Sequence, residues 1–102
     1  MFSVYVTCAN EKEAEKIALA TVGDGLAACA NYFPCKSVYK WKGKLAEEKE
    51  FVLVLKAAER NYKKLEARIR QLHSYEVPCI VATKVARAYK PYEKWVLGRA
   101  RK

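Results

Sequence analysis

The chain has 102 residues, enough for one continuous hydrophobic core and too few for two, so a single domain over residues 1–102 is expected. Twenty Lys and Arg against eleven Asp and Glu give a formal net charge of +9, which favours anionic partners without choosing among them. No apolar stretch reaches the length of a membrane span, and Met1 to Cys8 shows neither a basic leader nor a small-residue cleavage site, so no membrane partner and a cytoplasmic location are expected.

Phe2, Val4, Val6 and Cys8 alternate with Ser3, Tyr5 and Thr7, the period of a strand with one face in a core. Asn10 with Glu13 three residues later makes a capping box, and Ala14, Ile17, Ala18, Thr21 and Val22 recur at helical spacing up to Gly23 and Gly25. From Leu26 the pattern is extended through Phe33, broken by Pro34, and resumed by Val38, Tyr39 and Trp41. A turn at Lys42 and Gly43 leads into Leu45 to Lys56, so the two segments read as a long hairpin. Tyr62, Leu65, Ile69 and Leu72 mark a second helix with Lys63, Lys64, Arg68 and Arg70 toward water, and Ala57 and Ala58 offer it no side-chain cap. Val77 to Val85 reads as the last core strand, and Pro91 opens a closing helix that carries Tyr92, Trp95 and Val96.

The order predicts an α+β, ferredoxin-like βαββαβ domain with an additional C-terminal helix and an antiparallel sheet. Phe51 to Leu55 and Cys79 to Ala82 are apolar on both faces, so a lone chain would leave a large apolar patch wet; burial against further copies of the chain is expected instead. A closing helix folded under the sheet would cover only part of it.

Candidate chemistry is sparse. The four cysteines, Cys8, Cys29, Cys35 and Cys79, form no C-x-x-C pair and read as reduced thiols, three of them within buried strands. His73 is the only histidine, at the end of the second helix; as a metal ligand it needs company, which Cys29, Cys8 or Cys79 could supply, and such a nitrogen and thiolate set would suit copper or zinc. A Cys29–His73 dyad is the only candidate nucleophilic pair, and a cysteine on an apolar strand is far more often inert, so no enzyme is expected. No nucleic-acid partner is expected: Lys49 to Leu55 offers one aromatic where the RNA-recognition motif needs several exposed ones.

Taken together, Leu26-Ala27-Ala28-Cys29-Ala30-Asn31, the hairpin Ser37 to Lys44, Glu50 with Lys56, His73 and Tyr75 before Pro78, and Tyr92 with Trp95 resemble the CutA divalent-cation tolerance family over nearly the whole chain. The resemblance implies a homotrimer with hairpin strands paired between subunits, a role in tolerance of divalent metal ions, and copper at His73, with Cys29 as a second metal residue. It also implies a ligand-binding cleft between subunits lined by Trp41, Glu50, Lys56 and Tyr75. A small-anion-binding or scaffold module using the same cleft through Lys56 is the alternative. Ser74 and Thr7-Cys8-Ala9-Asn10 depart from the family pattern, and the second departure leaves a soft ligand, Cys8, beside the first loop.

Overall fold

The computed structural model describes residues 1–99 and orders them as β1 (Phe2–Cys8), α1 (Glu11–Gly23), β2 (Cys29–Trp41), β3 (Lys44–Ala57), α2 (Tyr62–Leu72), β4 (Ile80–Lys84) and α3 (Lys90–Arg99). The strands form one antiparallel sheet in the order β2-β3-β1-β4, the expected α+β topology with its extra closing helix. β1 takes a central place because Val4, Val6 and Cys8 all point to one side, where they are fully buried opposite Leu55, Leu53 and Phe51. Ala14 and Ile17 of α1 and Leu65 and Ile69 of α2 close over that face without exposure, each large side chain contributing about 1.5–3 kcal/mol.

Local chemistry sets the element ends. Asn10 Oδ1 accepts the Glu13 N–H at 2.9 Å, and the buried Thr21 hydroxyl donates to the Ile17 carbonyl at 2.8 Å. Lys42 and Gly43, at φ of 52° and 79°, make the left-handed two-residue turn that matches strand twist in a hairpin. The uncapped start expected for α2 is relieved by a 3-10 turn over Glu59–Asn61, in which the Asn61 N–H bonds the Ala58 carbonyl at 3.0 Å.

Three expectations need correction. β2 runs unbroken through Pro34, because β2 is an edge strand where a missing N–H costs no ladder bond. β4 begins at Ile80, where Val77 had been expected: Pro78 cannot donate to a ladder, the β1 pairing stops at Val6 opposite Ile80, and Val77 is 88% exposed. Of the thiols only Cys8 is core; Cys29 and Cys35 are half-buried and Cys79 is exposed.

The far face of the sheet carries Tyr5, Phe33 and Val81 at 43%, 48% and 52% exposure. α3 covers only the end beside Cys29, whose Sγ lies 3.4 Å from the Tyr92 hydroxyl. Beyond Phe51 the β2–β3 hairpin continues as a two-stranded ribbon with Val38, Trp41 and Leu45 exposed, which stretches the molecule to 45 Å.

Candidate metal centre

α2 ends at Leu72, and His73 turns into extended backbone while its own N–H still bonds the Ile69 carbonyl at 2.9 Å. That step swings the ring back under β1. The β1–β4 ladder stops at Val6, and one residue later the Thr7 carbonyl accepts the His73 Nε2–H at 2.8 Å. His73 Nδ1 accepts the Tyr75 N–H at 3.1 Å, which fixes the Nε2–H tautomer in a side chain with no solvent exposure.

Glu13 lies against the same ring. Its Oε1 accepts the Ala9 N–H and its Oε2 the Ser74 N–H, both at 2.9 Å, so one carboxylate ties the end of β1 to the end of α2. Burial raises its pKa, but the hydrogen bonds from Ser74 and Ala9 outweigh this and hold the carboxyl below its ordinary value. Glu13 Oε1 stands 3.7 Å from His73 Nδ1, and Cys8, Glu13 and His73 bring one ligand atom each within 4.8 Å of one another. Burial, followed by the Glu13 and Glu50 charges, pushes the Cys8 thiol up to about 12.

These residues fit a borderline or soft divalent cation. A ring N–H donated to a backbone carbonyl is the usual way a metal-ligating histidine is oriented, and it leaves Nδ1 as the coordinating atom. Glu13 Oε1 keeps a second lone pair, and a bound cation would draw the proton off Cys8. Nitrogen, sulfur and oxygen donors together favour zinc or copper over magnesium or calcium. The condition is that the Tyr75 N–H yields Nδ1.

Tyr75 links this cluster to a cleft of about 660 Å³ lined by Tyr39, Trp41, Glu48, Glu50, Tyr75, Glu76 and their neighbours. Its hydroxyl donates to Glu50 Oε2 at 2.6 Å, and burial, then that bond, raises the phenol's pKa. The Tyr39 hydroxyl donates to Glu48 on the same wall. A path of hydrogen bonds thus runs from Thr7 through His73 and Tyr75 to a carboxylate that is itself 9% exposed.

Residues 2–99 match the model of the CutA1 divalent ion tolerance protein family. The chain belongs to this family. A divalent-cation tolerance protein CutA from Archaeoglobus fulgidus is 34% identical over 93 residues, covering 91% of each chain. Its solved structure, described as a periplasmic divalent cation tolerance protein, superposes with a TM-score of 0.93 over 98% of this chain and 99% of that one, at 33% identity. The Pyrococcus horikoshii protein is 35% identical over 102 residues, all of both chains. A crystal structure of CutA1 from that organism superposes with a TM-score of 0.94 over the full length of both, at 34% identity.

Within this CutA1-family chain the expected site residues separate into two groups. Trp41, Glu50 and Tyr75 share the cleft, and His73 touches Tyr75 from behind. Cys29 and Lys56 face each other at the opposite end of the sheet, level with Ser3, so Cys29 and His73 do not meet within the chain. Sequence reading treated Glu13 only as a capping residue and offered Cys8 as one of three thiols, with Cys29 and Cys79, that could join His73. Spacing offers no signal for either role, because their meeting with His73 depends on where α2 ends. Tyr39, Glu48 and Glu76 were missed too, although Glu48 and Glu50 at even spacing on one strand mark a shared face.

Proposed function

We propose that the chain is a non-catalytic, homotrimeric, cytoplasmic divalent-cation tolerance protein that binds copper or zinc through His73, Glu13 and Cys8. The observation that carries this reading is the meeting of those three donors within 4.8 Å around a histidine already oriented by a backbone carbonyl. The names of the relatives support the divalent-cation tolerance part of this reading. Since Nδ1 either accepts the Tyr75 N–H or binds a cation, occupancy releases Tyr75 and alters its bond to Glu50, turning cation binding into a change in the neighbouring cleft. Four free thiols favour a reducing compartment. The open apolar face and the projecting hairpin favour assembly, because a two-stranded ribbon is marginal alone; the number three follows the family resemblance.

The small-anion alternative is not assembled within one chain and needs Lys56 of a neighbouring copy. Glu48, Glu50 and Glu76 line the cleft, and Lys56 lies six residues along β3 from Glu50, about 20 Å away.

Isothermal titration of the reduced protein with zinc and copper(I), with its mass followed by light scattering, tests the reading. One ion per chain in a trimer, lost in His73→Ala and weakened in Glu13→Gln, is expected. Affinity unchanged in His73→Ala overturns the site. Cys29→Ser in the same titration decides whether a neighbouring protomer's thiol joins the set.

A further inference from the structure

The positive charge is unevenly placed. Residues 59–102 hold twelve Lys and Arg against four Glu, so eight of the nine net charges fall in that segment. Residues 1–58 are close to neutral. The fold then gathers much of this excess at one end of the sheet. Ala57, just before the start of α2, is paired with Phe2, and Phe2 with Lys84, so the N-terminal turn of α2 and the end of β4 lie at the same end. α3 joins them there: Val96 packs with Met1 and Ala28, and Arg60 Nη2 donates to the Leu97 carbonyl at 3.3 Å.

Lys63, Lys64, Lys84, Lys90 and Lys94 on these elements, and Arg87 in the connection from β4 to α3, are all exposed. Lys84 reaches Glu59 at 3.9 Å and Lys90 reaches Glu93 at 3.8 Å; the other four have no ion pair among the described residues. In sequence, the cations Lys84, Arg87, Lys90 and Lys94 alternate with Tyr89, Tyr92 and Trp95. Tyr89 is 78% exposed, and the Tyr92 and Trp95 rings stack at 5.8 Å with 39% of Trp95 exposed.

We infer that this end of the molecule binds the phosphodiester backbone of single-stranded nucleic acid, with Tyr89 and Trp95 available to stack bases. Cations following a surface with aromatics between them are what sequence-tolerant single-strand binding requires. An anionic membrane fits less well, because an interfacial helix must offer a free apolar face, and α3 already spends Val96 and Leu97 on the protein interior. Tyr92 borders the sheet at Cys29, while Tyr89 and the cations lie at the end of the molecule away from the acidic cleft.

Fluorescence anisotropy of a labelled twenty-nucleotide oligouridylate with the intact protein tests the inference. Five phosphate contacts predict a log–log salt slope of about −3.5, or roughly a 100-fold weakening between 50 and 200 mM salt. Lys63→Glu with Lys64→Glu, and separately Lys90→Glu with Lys94→Glu, are each expected to weaken binding at least tenfold with an unchanged unfolding midpoint. The reversal Lys40→Glu with Lys42→Glu on the hairpin is expected to change it less than twofold. No binding at 50 mM salt, an equal loss in the hairpin variant, or binding to phosphatidylserine vesicles in place of the oligonucleotide would each overturn it.

Discussion

Replacing His73 by Ala removes two hydrogen bonds that nothing else among the described residues is placed to make. The Thr7 carbonyl lies one residue beyond the last β1–β4 pair, and the Tyr75 N–H points at Nδ1 inside a buried pocket. Each group left unsatisfied costs about 1–3 kcal/mol, and water entering the space vacated by the ring recovers part of it, so a net loss of about 2–4 kcal/mol is expected. The assay is guanidinium unfolding in the presence of a chelator, so that any metal contribution is absent, at one fixed protomer concentration because folding and assembly are linked. With a slope of about 3 kcal/mol per molar the midpoint falls by roughly 1 M. His73→Gln, which can still donate to Thr7, should recover about half of the difference. A change below 0.5 kcal/mol in His73→Ala would refute the hydrogen-bond path from Thr7 to Tyr75.

Other expectations follow from the same structure. Glu13 has a lowered folded-state pKa, so its stabilisation is fully present above its unfolded value and is lost as pH falls through the folded one. Between pH 5 and pH 3 the wild type should therefore lose more unfolding free energy than Glu13→Gln, and equal losses would contradict this assignment. Thiol labelling of the native protein at pH 8 should modify Cys79 first and leave Cys8 untouched until unfolding, as peptide mapping by mass spectrometry would show. Leu53→Ala, which empties a fully buried position between β1 and the helices, should cost about 2–5 kcal/mol by the same denaturant assay. Phe33→Asp together with Val81→Asp should lower the mass measured by light scattering, since both side chains lie half exposed on the apolar sheet face.

Much of the architecture was legible because its signals are local. The alternation in Phe2 to Cys8, the Asn10 cap, the Lys42–Gly43 turn and the Tyr62 to Leu72 spacing each describe the element that forms. The errors came where a neighbour overrides local pattern. Pro34 looks like a strand break until β2 is seen to be an edge, and Val77 looks like strand until the pairing limit at Val6 is known. The site was legible only in part, for a similar reason. His73, Tyr75, Glu50 and Trp41 could be picked out singly, while the meeting of Cys8, Glu13 and His73 joins two consecutive elements to the end of α2, far along the chain. No spacing rule brings them together, because the helix end, the strand end and the capping carboxylate are set by tertiary packing.

Anomalous diffraction at the zinc edge from crystals of the protein grown with zinc tests the central claim most directly. A peak about 2.0–2.1 Å from His73 Nδ1, with Glu13 and Cys8 completing the contacts and the Tyr75 N–H withdrawn, is the predicted result. A peak confined to the cleft beside Glu48, Glu50 and Glu76, with the Tyr75 N–H still bonded to His73, would contradict it.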